Sequence, residues 1–338
     1  YVDHRGGRIM AQDKLIGKLS DDAVMSCSRL PALFGWSSFS TPNDELRKSC
    51  DAWDRQQSDG PPPAWEYSEP ASWGNYMENE ILRQTSKRLG LEIKVDIEER
   101  VEHETLALQG SIDGILQGDG RVLEHNPAAG IYIAGEGSIV LSGPGIAEAK
   151  LTSAYPLPEP AGYRGPAQVQ GLMMCTGYTW SAIGTLYRGT ELRIYVAGKD
   201  DALQQKISQD VIDFAARMEI YKKNSVTDWY PALSVNDAAA TYKNSEGDLP
   251  PVSLSQGDSD LVMDLIAARE AISAATKLKN ALQTKLMDTM GAHEKAIAVD
   301  EMGLAFAELS WGMTAARSEA YHQAQPAKRA KTISVKEV

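Results

Sequence analysis

Apolar residues along the chain recur first at helical spacing, then at strand spacing, and return to helical spacing before the end. Ser20 to Gly35 reads as a short capped helix ended by glycine, with Asp21 and Asp22 in its first turn. Pro42 to Arg55 reads as a second helix, and Ser58 to Pro70, which holds Gly-Pro-Pro-Pro, as a loop. From Ala71 to Arg88, Trp73, Met77 and Ile81 recur at four-residue steps. That spacing predicts a longer helix with this stripe buried, Glu78 beside it and Gly90 closing it. Strand-like runs follow at Glu92–Glu98, Thr105–Gln109 and Ile112–Leu116. A glycine-rich insertion is expected from Gln117 to Gly137, before Ile139-Val140-Leu141 and a strand around Glu148. Pro166 to Gly177 fits a helix with proline in its first turn and Val169, Leu172, Met173 and Thr176 as its apolar face. Trp180 to Leu186 and Leu192 to Val196 read as adjoining strands, and Asp201 to Lys222 as a helix. Strands followed by covering helices predict an α/β layered domain.

The same pattern divides the chain. Residues 1–15 read as an N-terminal extension with Met10 as a candidate start, and 16–223 as the main domain. Residues 224–258, polar and carrying Pro231, Pro250 and Pro251, read as a linker. In 259–338, Leu261 to Met290 is strongly helical and closed by Gly291. A hairpin of Ala296–Val299 and Leu304–Leu309 follows, turning at Asp300–Gly303. The tail, with Lys328, Arg329, Lys331 and Lys336, reads as a frayed terminus ahead of a DNA contact. No internal repeat is visible.

Composition mainly excludes. At 338 residues with 43% apolar content, the chain suits a main domain with an appendage. Three cysteines (Cys27, Cys50, Cys175) are too few for a disulfide framework, which points to a reducing compartment. The five histidines (His4, His103, His125, His293, His322) form no zinc signature. No apolar run is long enough to predict a membrane span. A net charge of −12 argues against a protein that coats DNA, because nonspecific affinity comes from neutralising phosphates. An enzyme that encloses a DNA end needs only a local basic lining.

The chemistry concentrates in Gly145-Ile146-Ala147-Glu148-Ala149-Lys150-Leu151. Side chains two apart on a strand share a face, so Glu148 and Lys150 project together, roughly 7 Å apart at Cα, while Ala149 packs opposite. Taken alone, this triplet reads first as the solvated face of an edge strand. Beside a second carboxylate, an acid and a base so placed suit a hard divalent cation and an activated water, the chemistry of phosphodiester hydrolysis. Asp113, in the glycine-bounded Ser111-Ile112-Asp113-Gly114, is the first candidate for that carboxylate, and Asp119 the second. On the helix that follows, Gln168 and Gln170 stand about 200° apart, so only one can look into such a site.

These pieces together resemble the PD-(D/E)XK nucleases, and within them the phage lambda exonuclease and YqaJ-like viral recombinases. The resemblance spans about Ser26 to Gly198. It rests on five segments in the family's order: Ser26-Cys27-Ser28 with Leu33-Phe34-Gly35, Trp73-Gly74-Asn75-Tyr76-Met77-Glu78, Ser111-Ile112-Asp113-Gly114, Glu148-Ala149-Lys150, and Ala167-Gln168-Val169-Gln170. The stretch between Asp113 and Glu148 is longer than the tight hairpin common in that family. The four cysteines of the iron–sulfur branch are absent.

The resemblance implies a central mixed sheet flanked by helices, with the C-terminal helix and hairpin as an appendage. It implies Mg²⁺, with Mn²⁺ substituting, held by Asp113, Glu148 and the Ala149 carbonyl, and Glu78 completing or orienting the shell. Lys150 then orients the nucleophile and Gln168 holds water or phosphate, while Gln170 is structural. Ser28 and Ser111 match hydroxyls that line a 5′-phosphate pocket. The pocket's arginine has no direct counterpart, and Arg29, Arg164 or Lys18 are its substitutes. The implied activity is 5′→3′ degradation of one strand of linear duplex DNA from its ends, in phage-type recombination with a single-strand annealing protein. A homo-oligomer, a trimer by resemblance, and a cytoplasmic, phage- or prophage-encoded setting go with it. An endonuclease or repair nuclease with the same site, and a non-catalytic DNA-end or partner-binding module, are the competing readings.

Overall fold

The computed structural model describes residues 21–58, 68–134, 137–243, 250–311, 313–314, 328–329 and 334–337. The expected extension at 1–15, with Met10, lies outside the described residues, as do Lys18, most of the proline-rich loop, and Lys331 in the tail. The chain divides into two compact units between Ser245 and Glu246.

In chain order, the first unit begins with β1 (Met25–Ser26), α1 (Leu30–Leu33), α2 (Pro42–Gln57), α3 (Glu69–Leu89), β2 (Glu92–Val95), β3 (Arg100–Glu102) and β4 (Leu108–Ser111). It continues with β5 (Gly114–Glu124), β6 (Ile131–Ile133), β7 (Ser138–Thr152), α4 (Pro166–Thr176), β8 (Trp180–Tyr187), β9 (Glu191–Gly198), α5 (Asp201–Asn224) and α6 (Val235–Thr241). Six strands form one mixed sheet in the order β2-β5-β7-β8-β9-β6, and β1-β4-β3 form a small second sheet. In the six-stranded sheet β7 and β8 pair parallel, as do β6 and β9, and the other neighbours pair antiparallel; in the small sheet β1 runs parallel to β4 and β3 antiparallel. Helices flank the sheet, as the layered α/β expectation requires.

Strand alternation in β7 assigns its two faces. Ile146 joins a core with Leu172, Ile207 and Phe214 of α4 and α5, whereas Ala147, Ala149 and Leu151 face one with Ile81 and Leu82 of α3. Each fully buried Leu or Ile there contributes roughly 1.5–3 kcal/mol. Glu148 and Lys150 alternate with the α3-facing residues, so both project toward α4.

Several sequence expectations are corrected. The glycine-rich insertion is strand: β5 continues to Glu124 and pairs with β7 along nearly its whole length, with one irregularity between Asp119 and Val122. The stripe on α3 is Ile81, Leu82, Thr85 and Leu89, and Trp73 is exposed. Within Ser20–Gly35, the helix is confined to Leu30–Leu33 after a 3-10 turn, because Met25 and Ser26 pair with β4. The stretch read as linker from Asn224 is held to the first unit as far as α6. There, buried Asp237 accepts from Thr41 Oγ1 (3.0 Å) and from the Leu233 N–H (2.9 Å), and Asn43 brackets Tyr230 through both its backbone groups.

The second unit opens with α7 (Gln256–Met290), started by a Ser255/Asp258 capping box. Next come β10 (Lys295–Val299), β11 (Ala305–Ser310), β12 (Met313–Thr314), β13 (Lys328–Arg329) and β14 (Ser334–Glu337). The expected hairpin is β10–β11. Part of the tail read as frayed is paired instead: β14 lies antiparallel on β11, and β13 pairs with β12. Met290 and Leu309 centre a small core with Met287, Ala296, Ala298 and Trp311. Along α7, Leu261, Leu265, Ile272, Leu278 and Leu282 are exposed. Among the described residues no helix is long and apolar enough to cross a membrane.

Candidate active site

Register brings the two carboxylates together. β5 starts at Gly114 opposite Ala147, so Asp113 and Glu148 stand across from each other where that pairing ends. Asp113 Oδ2 accepts the Ala149 N–H at 3.0 Å. The N–H and C=O of one strand residue point to the same side, so the Ala149 carbonyl is also turned toward Asp113. Length between the two acids in sequence therefore does not matter; the long hairpin closes it. Asp119 sits further along the hairpin, paired with Arg121 at 3.6 Å, outside this cluster.

Lys150 Nζ donates to Glu148 Oε1 at 2.5 Å and to Gln168 Oε1 at 3.0 Å. Gln168 is therefore the glutamine that faces the site. Gln170, on the other side of α4, donates to Gly198 O (2.8 Å) and accepts from the Asp200 N–H (3.1 Å) and from Gln204 (3.0 Å). It ties α4 to β9 and α5, the structural role expected for it.

The electrostatics are unbalanced. Burial first, and the neighbouring Asp113 second, push the Glu148 carboxyl up to about 8. Burial alone would lower Lys150, but the carboxylates of Glu148 and Asp113 more than offset it and hold the ammonium charged. Glu148 is 2% exposed, and its Oε2 is buried without a hydrogen-bond partner. An orphaned carboxylate oxygen beside a second carboxylate and a carbonyl turned the same way is an oxygen donor set for a hard cation. Mg²⁺ keeps several of its waters and is commonly bound through one or two carboxylates, so these residues fit it. Glu78 is the residue expected to complete or orient the shell. It lies on the sheet-facing side of α3, one turn before Ile81 and Leu82. The next residue, Asn79, donates to Asp96 at 3.1 Å, just beyond the Val95–Gly114 pair, so α3 passes the Asp113 end of the sheet there.

Two cationic candidates separate. Arg164 donates to Leu151 O at 3.2 Å, lies over the Tyr163 ring at 5.0 Å, and is near enough for its charge to oppose that of Lys150. Its Nε is buried without a hydrogen-bond partner. Arg29 is not available. Its guanidinium binds Glu45 Oε2 (2.5 Å), Glu45 O (2.6 Å), Ser49 Oγ (2.8 Å), Asp22 O (3.0 Å) and Val24 O (3.3 Å). With every donor spent inside the fold, the expectation of a phosphate contact from Arg29 is corrected. Ser28 is exposed beside Ser26, 3.1 Å between hydroxyls, and Ser111 closes β4 ahead of Asp113. Sequence reading missed Trp36, Phe39 and Tyr163, aromatic residues in polar loops; Tyr163 packs against Arg164. The signal was there in large rings without helical or strand periodicity.

No known protein-family profile matches the chain, and no curated protein does. Among solved structures, it is similar to the alkaline exonuclease LHK-Exo from Laribacter hongkongensis, at 16% identity and a TM-score of 0.42, over 61% of this chain and 94% of that one. It is also similar to a phage-related exonuclease from Haemophilus somnus 129PT, at 15% identity and a TM-score of 0.38, over 60% of this chain and 96% of that one. Likeness at this level transfers no activity.

Proposed function

We propose that the chain is a metal-dependent deoxyribonuclease, an exonuclease acting on linear duplex DNA. The observation that carries this reading is the Asp113–Glu148 carboxylate pair, with an orphaned buried oxygen, beside a Lys150 that Gln168 holds in place. Asp113, Glu148 and the Ala149 carbonyl would hold Mg²⁺, or Mn²⁺ in its place. When bound, the ion supplies charge neutralisation at the scissile phosphate and lowers the pKa of the attacking water.

The chain's own groups do the rest. Lys150, fixed by two acceptors, keeps a third donor for the incoming nucleophile or the phosphate, and stabilises charge developing there. Gln168 spends its carbonyl on Lys150 and keeps its amide N–H donors for water or phosphate. Arg164 places its positive charge beside Lys150, toward a neighbouring phosphate, and Ser28 and Ser111 offer hydroxyls to a 5′-phosphate. Burial around Glu148 excludes bulk water, which strengthens each of these contacts. The finer reading is 5′→3′ polarity, a role in phage-type recombination beside a single-strand annealing protein, a homo-oligomer, and a cytoplasmic phage or prophage setting. The oligomer is supported by the apolar positions that the second unit leaves exposed on α7.

The test is digestion of linear duplex DNA carrying a 5′-phosphate on one strand, beside covalently closed circles. Mg²⁺-dependent loss of the phosphorylated strand with circles intact supports the exonuclease. Cutting of circles replaces it with an endonuclease. Tight end binding without cleavage under any divalent cation leaves a non-catalytic module.

A further inference from the structure

The loop after α1 carries two exposed aromatic rings. Phe39 is 77% exposed and Trp36 42%. Both are tied to the loop that leads from β7 into α4. Phe39 meets Tyr163 edge-on at 6.0 Å between centroids, and the Trp36 ring lies 3.7 Å from where a β-carbon at Gly162 would stand. Trp36 is also braced edge-on by Phe34 at 4.9 Å, and Phe34 carries Lys206 at 4.7 Å over its ring. Tyr163 in turn carries Arg164, the cation beside Lys150. Tyr163 and Phe39 thus lead outward from the candidate active site, with Trp36 beside Gly162 on the loop that carries Tyr163. An edge-on contact uses the edge of one ring and part of the face of the other, and Phe39 and Trp36 stay exposed despite it, while Tyr163 is half-buried under Arg164.

We propose that Trp36, Phe39 and Tyr163 form a stacking platform for unpaired bases of the DNA strand whose phosphates reach Arg164 and Lys150. The proposal rests on the nuclease reading above and adds to it a site for single-stranded nucleotides next to the scissile bond. Paired duplex offers its stacked bases to nothing, and its outer surface is phosphate. Flat exposed rings interleaved with cations are the combination that binds unpaired strands, through base stacking and backbone charge. Because every base has a π-face, the platform is tolerant of sequence. It also supplies a local basic and aromatic lining in a chain of net charge −12.

The test uses the full chain carrying Glu148→Gln, so that DNA is bound without being cut. The probes are oligo(dT) and a duplex with a short single-stranded overhang containing 2-aminopurine, whose fluorescence is quenched by stacking. Phe39→Ala and Trp36→Ala are each expected to weaken oligo(dT) binding about tenfold and to relieve the quenching. Phe39→Leu, apolar but not aromatic, is expected to behave like Phe39→Ala, and Trp36→Phe to retain most of the binding. Blunt duplex affinity should change little. Unchanged oligo(dT) binding in both alanine variants overturns the platform, as does equal loss for blunt duplex, or failure of the parent to bind oligo(dT) at all. Cleavage by the chain with Glu148 restored is scored separately. An inactive chain whose quenching depends on Phe39 fails the nuclease reading alone, and an active chain with Phe39-independent binding fails the platform alone.

Discussion

At the scale of single residues, the proposed reading makes Glu148 the point where metal, proton and stability meet. Burial and Asp113 raise its carboxyl to about 8, so in the metal-free protein it binds a proton far more readily than an ordinary carboxyl. Cation binding must then release a proton. Calorimetry of Mg²⁺ binding at pH 7 in buffers of different ionisation enthalpy should show release of about one proton, falling away above pH 9; no buffer dependence would contradict this. The same shift fixes the sign of the stability effect. A folded carboxyl above its ordinary 4.5 binds its proton more tightly than the unfolded chain, so the metal-free protein loses stability as pH rises from about 4.5 through 8. Glu148→Gln should therefore raise metal-free stability at pH 9 by about 2 kcal/mol in urea unfolding, while Mg²⁺ no longer raises its Tm. Arg29 behaves oppositely. Burial alone would raise the Glu45 carboxyl, but Arg29, Lys48 and Ser40 hold it below its ordinary range. That stability is present above pH 4.5 and is lost as pH falls through the folded value. Arg29→Ala should cost about 3–5 kcal/mol in urea unfolding, because a buried carboxylate is left unpaired. A folded, stable Arg29→Ala variant that has lost only 5′-phosphate preference would restore the binding role withdrawn above.

At the scale of elements, legibility followed whether a signal was local. Helices α2, α3 and α4 were readable because caps, prolines and closing glycines mark their ends within a few residues. The α3 stripe was misread because Trp73 keeps helical phase but lies beyond the sheet that would cover it. The continuation of β5 was hidden by Gly118 and Gly120, which read as loop. For Gly118 the reason is tertiary, since a β-carbon there would strike Leu141 O and stand 2.7 Å from Gly143 O on the facing strand; for Gly120 it is the backbone, at φ +84°. Likewise β1 is two residues long and exists only because β4 lies beside it. In the site, Glu148 and Lys150 were readable from spacing on one strand, whereas helix phase left Gln168 and Gln170 open and only the family resemblance favoured Gln168. The Asp113–Ala149 contact depends on register, and the loss of Arg29 to Glu45 on a helix sixteen positions away, so neither was readable. The α3–sheet contact gives its own prediction. A β-carbon at Gly184 would collide with Thr85 Oγ1 and press on Ile81 at 3.2 Å. Gly184→Ala should lower stability by about 1–3 kcal/mol in urea unfolding; an unchanged midpoint would mean that α3 does not pack there.

At the scale of the whole molecule, the carboxylate pair and Lys150 belong to a unit that closes near Ser245, and α7 with its small sheet to another. Each unit has its own core, so scanning calorimetry should resolve two transitions, with Glu148→Gln moving only the first unit's; a single transition that moves as one would contradict that independence. On the proposed reading, the arrangement around Glu148 would hold a cation between two carboxylates, with Lys150 placed to act on phosphate. The most direct test is cleavage of an end-labelled linear duplex in Mg²⁺ by wild type, Lys150→Ala and Glu148→Gln, with DNA binding measured on the same preparations. The account predicts Mg²⁺-dependent release of nucleotides by wild type, abolished by EDTA, and a loss of at least about a hundredfold in both variants with binding retained. Cleavage that survives either substitution, or that proceeds in EDTA, would contradict it.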